Sequence, residues 1–145
     1  MSTTAQGQHG FINYLNQLVE DGNRGALAAL RRGLGRRPGD SADVYPHVMP
    51  FNPPVWAERS YFLVASLFAL WHQGSRSVPR SGIPANFGAS FRDVAQQSGS
   101  DSVERRFVAL LNAHSDDLPD HLRHAVSLMR SADRPVPVDW SRLLR

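Results

Sequence analysis

Cysteine and lysine are both absent from the 145 residues. Without cysteine, disulfides and cysteine-ligated metals are excluded, and a reducing cytoplasm is compatible with the chain. Without lysine, all sixteen basic residues are arginine. Guanidinium groups bind phosphate as a bidentate fork, stack on bases and stay charged. Charge of one sign is not in large excess either, because thirteen acids leave a net charge of only +3. Any polyanion site must therefore come from where the charges lie. Long hydrophobic runs are lacking too. "YFLVASLFALW" (61–71) is eleven residues long, well short of the roughly 20 that cross a bilayer. "MSTTAQGQHG" has no basic region followed by an apolar core, so no signal peptide is expected. A soluble, cytoplasmic chain with no membrane partner is the expectation.

No stretch alternates with period two and no repeat of 20–50 residues is visible, so an all-α fold of about seven helices is expected. After a flexible start at 1–10, Phe11, Leu15, Leu18 and Val19 fall at helical spacing. Asn23 can cap a second helix with Leu27, Leu30 and Leu34 as its apolar stripe. Residues 35–54 hold five prolines and read as a long ordered connection. Pro54 suits the first turn of a third helix over 55–73, which Gly74 can end. The Gly-, Ser- and Pro-rich 74–86 reads as a mobile loop. The rest forms a C-terminal bundle over 87–145, beside an N-terminal helical lobe over 11–73.

In the bundle, Phe87, Phe91, Val94 and Ala95 face inward from a short helix. Asp101 and Glu104 form a capping box for the next one, whose stripe is Val103, Phe107, Leu110 and Leu111. Leu122, Ala125, Val126 and Met129 line the helix after it. "RPVPVD" is extended, and Asp139 caps a last helix, "WSRLLR". Its stripe of Trp140, Leu143 and Leu144 is cut off at Arg145, so a continuation beyond that residue is expected.

Support for catalysis is thin. A Ser–His–Asp site assembled in space stays open, but no G-x-S-x-G is present. "GLGRRPGD" lacks the lysine and hydroxyl of a P-loop and follows a helix rather than a strand. In "HSDDLPDHLRH" (114–124), His121 and His124 share a helix face close to Asp116, Asp117 and Asp120. A metal-dependent nuclease could use such ligands. An acid-rich helix start with solvated histidines fits them better, and no H-E-x-x-H spacing is present. No metal and no cofactor are expected.

The arginines say more. "RGALAALRRGLGRRPGD" (24–40) carries five of them within fourteen residues. On a helical wheel Arg24 and Arg31 flank the leucine stripe and Arg32 points further out. Arg59 sits in the first turns of the third helix. Arg105 lies opposite the Val103/Phe107/Leu110 stripe and Arg106 on its flank. Arg123 and Arg130, seven apart, share one exposed stripe. Each could be a solvated surface charge, with Arg105 or Arg123 pairing to Glu104 or Asp120. Taken together, the doublets and the stripe suit a polyanion. Phe62, Phe68, Trp71, Phe91 and Phe107 sit on core stripes, so contact with a strand would run mainly through phosphates.

Several stretches together resemble the CasB family, the small subunit of the type I-E CRISPR surveillance complex Cascade. They are "LRRG" (30–33), "YPHVMPF" (45–51) before "NPP", "SYFLVASLFALW", "NFGASFRDVA" (86–95), "GSDSVERRFVALLNA" (99–113) and "HLRHAVSLMRSADRPVPVDWSRLLR" (121–145). The resemblance covers about 11–145 and implies an all-helical, non-catalytic subunit. It implies as partners the backbone and large subunits of Cascade and a second copy of the chain. It also implies the displaced single-stranded non-target DNA, with the guide RNA–DNA heteroduplex as a further candidate. R-loop formation is a near-balanced exchange, so modest backbone contacts can tip it. The positions that match are Arg31, Arg32, Arg59, Arg105 and Arg106, with Arg123 and Arg130 on the following helix. Arg36 and Arg37 lie in a variable loop, and the resemblance implies a further helical segment after the "DW" helix. Two other readings stand beside it: a free-standing double-stranded DNA-binding regulator reading bases from "SVERRFVALL", and the His121/His124 nuclease.

Overall fold

Helix α1 (Thr3–Glu20) buries Phe11, Leu15, Leu18 and Val19 along one face, as the spacing of those residues requires. It starts at Thr3, within the stretch expected to be a flexible start. Nothing in "TTAQGQHG" blocks helical propagation once the apolar face is docked. The structure, a computed structural model, describes residues 3–35, 40–73, 83, 86–99, 101–114, 116–132 and 135–144, with backbone only at 3–9, 141 and 142. Gly74 as a helix end, Arg36, Arg37, most of the expected loop at 74–86 and any continuation past Arg145 lie outside the described residues. The fold is all-α, with no strand among the described residues.

The chain divides into two compact units, Met1–Val78 with Leu144–Arg145, and Pro79–Leu143. In the first, Asn23 caps α2 (Arg24–Arg31), its side-chain oxygen accepting from the Ala26 amide at 3.1 Å. Helix α2 packs on α1 and on α4 (Glu58–Trp71), whose apolar run is buried along most of its length. Gly33, just past α2, explains the last letter of "LRRG". A Cβ there would lie 2.5 Å from Ser66 Oγ and 3.1 Å from Val44 Cγ2. The prolines of the connection shape short turns: α3 (Tyr45–Val48) and two 3₁₀ turns, Met49–Phe51 and Val55–Ala57. The third expected helix therefore begins at Glu58 rather than Val55. Pro54 is extended (ψ 145°), and the chain enters α4 through a tight turn.

In the second unit α5 (Phe87–Ser98), α6 (Asp101–Leu111) and α7 (Leu118–Ser131) pack against one another. Asn86 caps α5 by accepting from the Ala89 amide at 2.8 Å, and Gly99 ends it with φ +62°. Asp101 is the first helical residue of α6 and lies with Glu104 in its first turn, where acids complement the helix dipole. Leu122, Ala125, Val126 and Met129 are all buried. Leu111, expected on the inner stripe of α6, is instead 67% exposed, because it sits some 100° round the helix from Leu110. The extended segment 135–139 is pinned at two points. The Val136 amide donates to Met129 O, and buried Ser90 donates from Oγ to Pro137 O, both at 2.9 Å. Asp139 O accepts from the Leu143 amide at the start of α8 (Trp140–Leu143).

Candidate nucleic-acid interface

Each unit presents its own set of arginines. On α2, Arg24 is exposed and Arg31 half-buried. They are seven residues apart, which puts them on one stripe about 10 Å apart along the axis. Arg32 follows as the C-cap residue, and its guanidinium lies 3.7 Å from the Asp43 carboxylate, with both side chains more than half exposed. Part of its charge is thus already answered, weakly, since exposed pairs hold little energy. Arg59 is exposed in the first turn of α4.

In the second unit the "ERR" doublet separates. Arg106 lines a groove of about 440 Å³ between α6 and α7, together with His121, His124, Ser127 and Ser131. Arg105 lies about 100° away and shares its outward face with Val108 and Leu111, both largely exposed. On α7, Arg123 is exposed and Arg130 half-buried in the last turn, where a cation complements the helix dipole. Arg123 and Arg130 lie on the flank of α7 away from His121 and His124. The pairings of Arg105 with Glu104 and of Arg123 with Asp120 do not form. Among the described residues, Arg24, Arg31, Arg59, Arg105, Arg106 and Arg123 make no ion pair.

The metal-ligand reading of 114–124 also changes. Among the described residues, no three of the histidine and acidic side chains gather as a metal-holding group. His114 instead sits 3.7 Å from the Asp116 carboxylate, and both are exposed. His121 and His124 share their groove with a guanidinium, whose charge opposes a bound cation.

Two features escaped the reading of the sequence. Trp56 is 76% exposed and Val55 85% exposed, whereas Trp71 and Trp140 are buried. The Pro53–Pro54 pair was the available signal, since it ends any continuous helix and leaves the next residues on a surface turn. The second feature is His72, which is buried against Phe68 and Trp71 with ring centroids at 4.3 and 4.7 Å. Burial pushes its imidazole from 6.5 down to about 4. No helix among the described residues is long and apolar enough to cross a membrane.

Comparison with known proteins agrees with the resemblance read from the residues. The family described as CRISPR-associated protein Cse2 matches residues 26–145. A CRISPR-associated protein Cse2 from Thermus thermophilus is 34% identical over 92% of this chain and 75% of its own length. Two solved structures are similar throughout. A Cse2-family protein from Thermus thermophilus superposes with TM-score 0.73 at 32% identity, covering 99% of this chain and 85% of the other. CasB from Thermus thermophilus does so with TM-score 0.72 at 30% identity, covering 99% and 84%.

Proposed function

Because this chain belongs to the CRISPR-associated Cse2 (CasB) family, we propose that it is a non-catalytic small subunit of an RNA-guided surveillance complex that stabilises the R-loop. It does so by holding the displaced non-target DNA strand through arginine–phosphate contacts and by bridging the backbone subunits. The observation that carries the strand contact is the state of the arginines: Arg24, Arg31, Arg59, Arg106 and Arg123, on α2, α4, α6 and α7, have no acidic partner among the described residues. An unpaired guanidinium meets a phosphate without first giving up an internal pair, and it does so without reading bases. Such contacts suit a strand of any sequence, which is what a guide that changes from target to target demands.

Arg24, Arg31 and Arg59 in the first unit and Arg106 and Arg123 in the second are the proposed phosphate contacts, each unit offering its own set. Arg32 is a weaker member because of Asp43, and half-buried Arg130 is a further one on α7. Arg105, beside exposed Val108 and Leu111, suits a protein surface better. An apolar pair rimmed by one charge is the composition of a subunit contact. The test is R-loop lifetime on a target duplex, using a complex assembled without its small subunit and then supplied with this chain. The parent lengthens the lifetime, and Arg24→Glu with Arg31→Glu shortens it again while the protein still folds and assembles. Equal lifetimes for parent and variant would reduce the subunit to a scaffold.

A further inference from the structure

The groove between α6 and α7 differs in chemistry from the neighbouring groove between α5 and α6. Its polar lining is Arg106, His121, His124, Ser127 and Ser131, and among the described residues no carboxylate lines it. The neighbouring groove between α5 and α6 offers the contrast, because there Arg92 is accompanied by Asp101 and Glu104. His121 and His124 are three residues apart on one flank of α7, so both imidazoles reach the same space that Arg106 enters from α6. A neutral imidazole still donates one N–H, and an imidazolium donates two. The guanidinium supplies up to five donors and a fixed charge. A set made of donors and positive charge, with no anionic oxygen, is complementary to an anion with several acceptor oxygens.

We propose that this groove is a phosphate site, with Arg106 answering the charge and His121 and His124 donating to the non-bridging oxygens. Its volume, about 440 Å³, exceeds what one phosphate occupies. Ala125 and Leu128 give it an apolar wall, so the ligand class is a phosphate ester whose sugar lies against that wall. A backbone phosphate of the bound strand is the ligand, and in this the site rests on the strand-binding role proposed above. The donor chemistry of the groove stands independently of that role. The site also accounts for the two histidines without a metal, and it places Arg106 apart from Arg105 in function as well as in direction.

The experiment follows the imidazole resonances of the full-length chain, labelled at histidine, during separate titrations with inorganic phosphate, oligothymidylate and zinc. The expected result is that His121 and His124 shift with phosphate and with oligothymidylate, while His114, which lies outside the groove and accepts from the Asp116 amide at Nδ1, does not. Replacing both with glutamine (His121→Gln, His124→Gln) weakens oligothymidylate binding by roughly tenfold, the scale of one or two lost charge-assisted hydrogen bonds. Arg106→Gln, at an exposed position, gives a second variant should the double substitution disturb α7. Oligothymidylate that binds without moving His121 or His124 overturns the groove and leaves the strand role standing. Phosphate that moves them while oligothymidylate does not bind keeps the phosphate site and removes the strand role. Zinc moving them with phosphate inert overturns the phosphate site in favour of a cation.

Discussion

Tyr14 of α1 and His47 of α3 share a hydrogen bond of 2.7 Å between the phenol oxygen and Nδ1. Burial raises the phenol's pKa and lowers the imidazole's, so both are held neutral and the phenol can donate to a ring whose proton sits on Nε2. Around this bond the rest of "YPHVMPF" is occupied with packing. Tyr45 lies edge-on to Phe62 at 5.0 Å, Val48 is fully buried, and Phe51 meets Phe11 at 5.4 Å and Tyr14 at 5.1 Å. This stretch, one of several that carry the family likeness, is therefore a device for joining α1 to α4.

Tyr14→Phe keeps the ring packing and removes only the hydroxyl. The expected cost is about 1 kcal/mol, the usual net value of a hydrogen bond that leaves a half-buried acceptor behind. Urea unfolding of the parent and the variant measures it. An unchanged midpoint would mean that water replaces the phenol at His47 without loss.

Stability should fall with acidification in a window set by His72. Its folded pKa of about 4 lies below the ordinary 6.5, so in between the unfolded chain binds a proton that the folded chain refuses. Stability from this group is fully present above about 6.5 and declines as pH drops toward 4, by at most roughly 1.4 kcal/mol per pH unit. The half-buried His47, lowered in the same direction by burial, adds to the decline with a smaller weight. His72→Leu removes the main contribution, so its urea midpoints plotted against pH run flatter than the parent's from 6.5 to 4. Parallel curves for the two proteins would show that His72 is hydrated when folded.

Gly33→Ala tests whether the glycine of "LRRG" is there for space. The new methyl would meet the buried Ser66 hydroxyl, Val44 and the Leu30 carbonyl, the last at 3.3 Å. Overpacking of this kind costs typically 1–3 kcal/mol, and thermal melting of the variant reads it as a lower Tm. Stability equal to the parent's would mean that Ser66 rotates away at no cost, and the double variant Gly33→Ala, Ser66→Ala would then melt no higher than the single one.

How much of this was legible in the sequence follows from periodicity. The inner stripes of α1 and α7 are readable residue by residue, because four apolar side chains recur at helical spacing in each and all are buried. The caps at Asn23 and Asn86 are likewise local chemistry. What escaped depends on the neighbours of a residue in space. Trp56 lies outside, since one aromatic after two prolines has no periodic partner to set its direction. Arg106 stands beside Arg105 in the sequence, but α7 gives it a groove and two imidazoles for company. Adjacent residues on a helix face different surroundings, and a doublet of letters is not a doublet of contacts.

That separation makes the two arginines of the "ERR" doublet distinguishable by salt. Each guanidinium on a single strand's phosphates contributes about 0.7 to the slope of log K against log salt, because it releases condensed counterions. Arg106→Gln should therefore make the slope for oligothymidylate shallower by about 0.7, and Arg123→Gln on the outer stripe of α7 should do the same. Arg105→Gln should leave the slope unchanged, since Arg105 shares its face with exposed Val108 and Leu111. Its loss should appear instead in how tightly the chain joins the rest of the complex, where salt dependence is set by protein contacts. Fluorescence anisotropy at four or more salt concentrations gives the slopes, and pull-down by the other subunits gives the assembly. A slope change for Arg105→Gln equal to that for Arg106→Gln would return both to one strand track and remove the protein contact from α6.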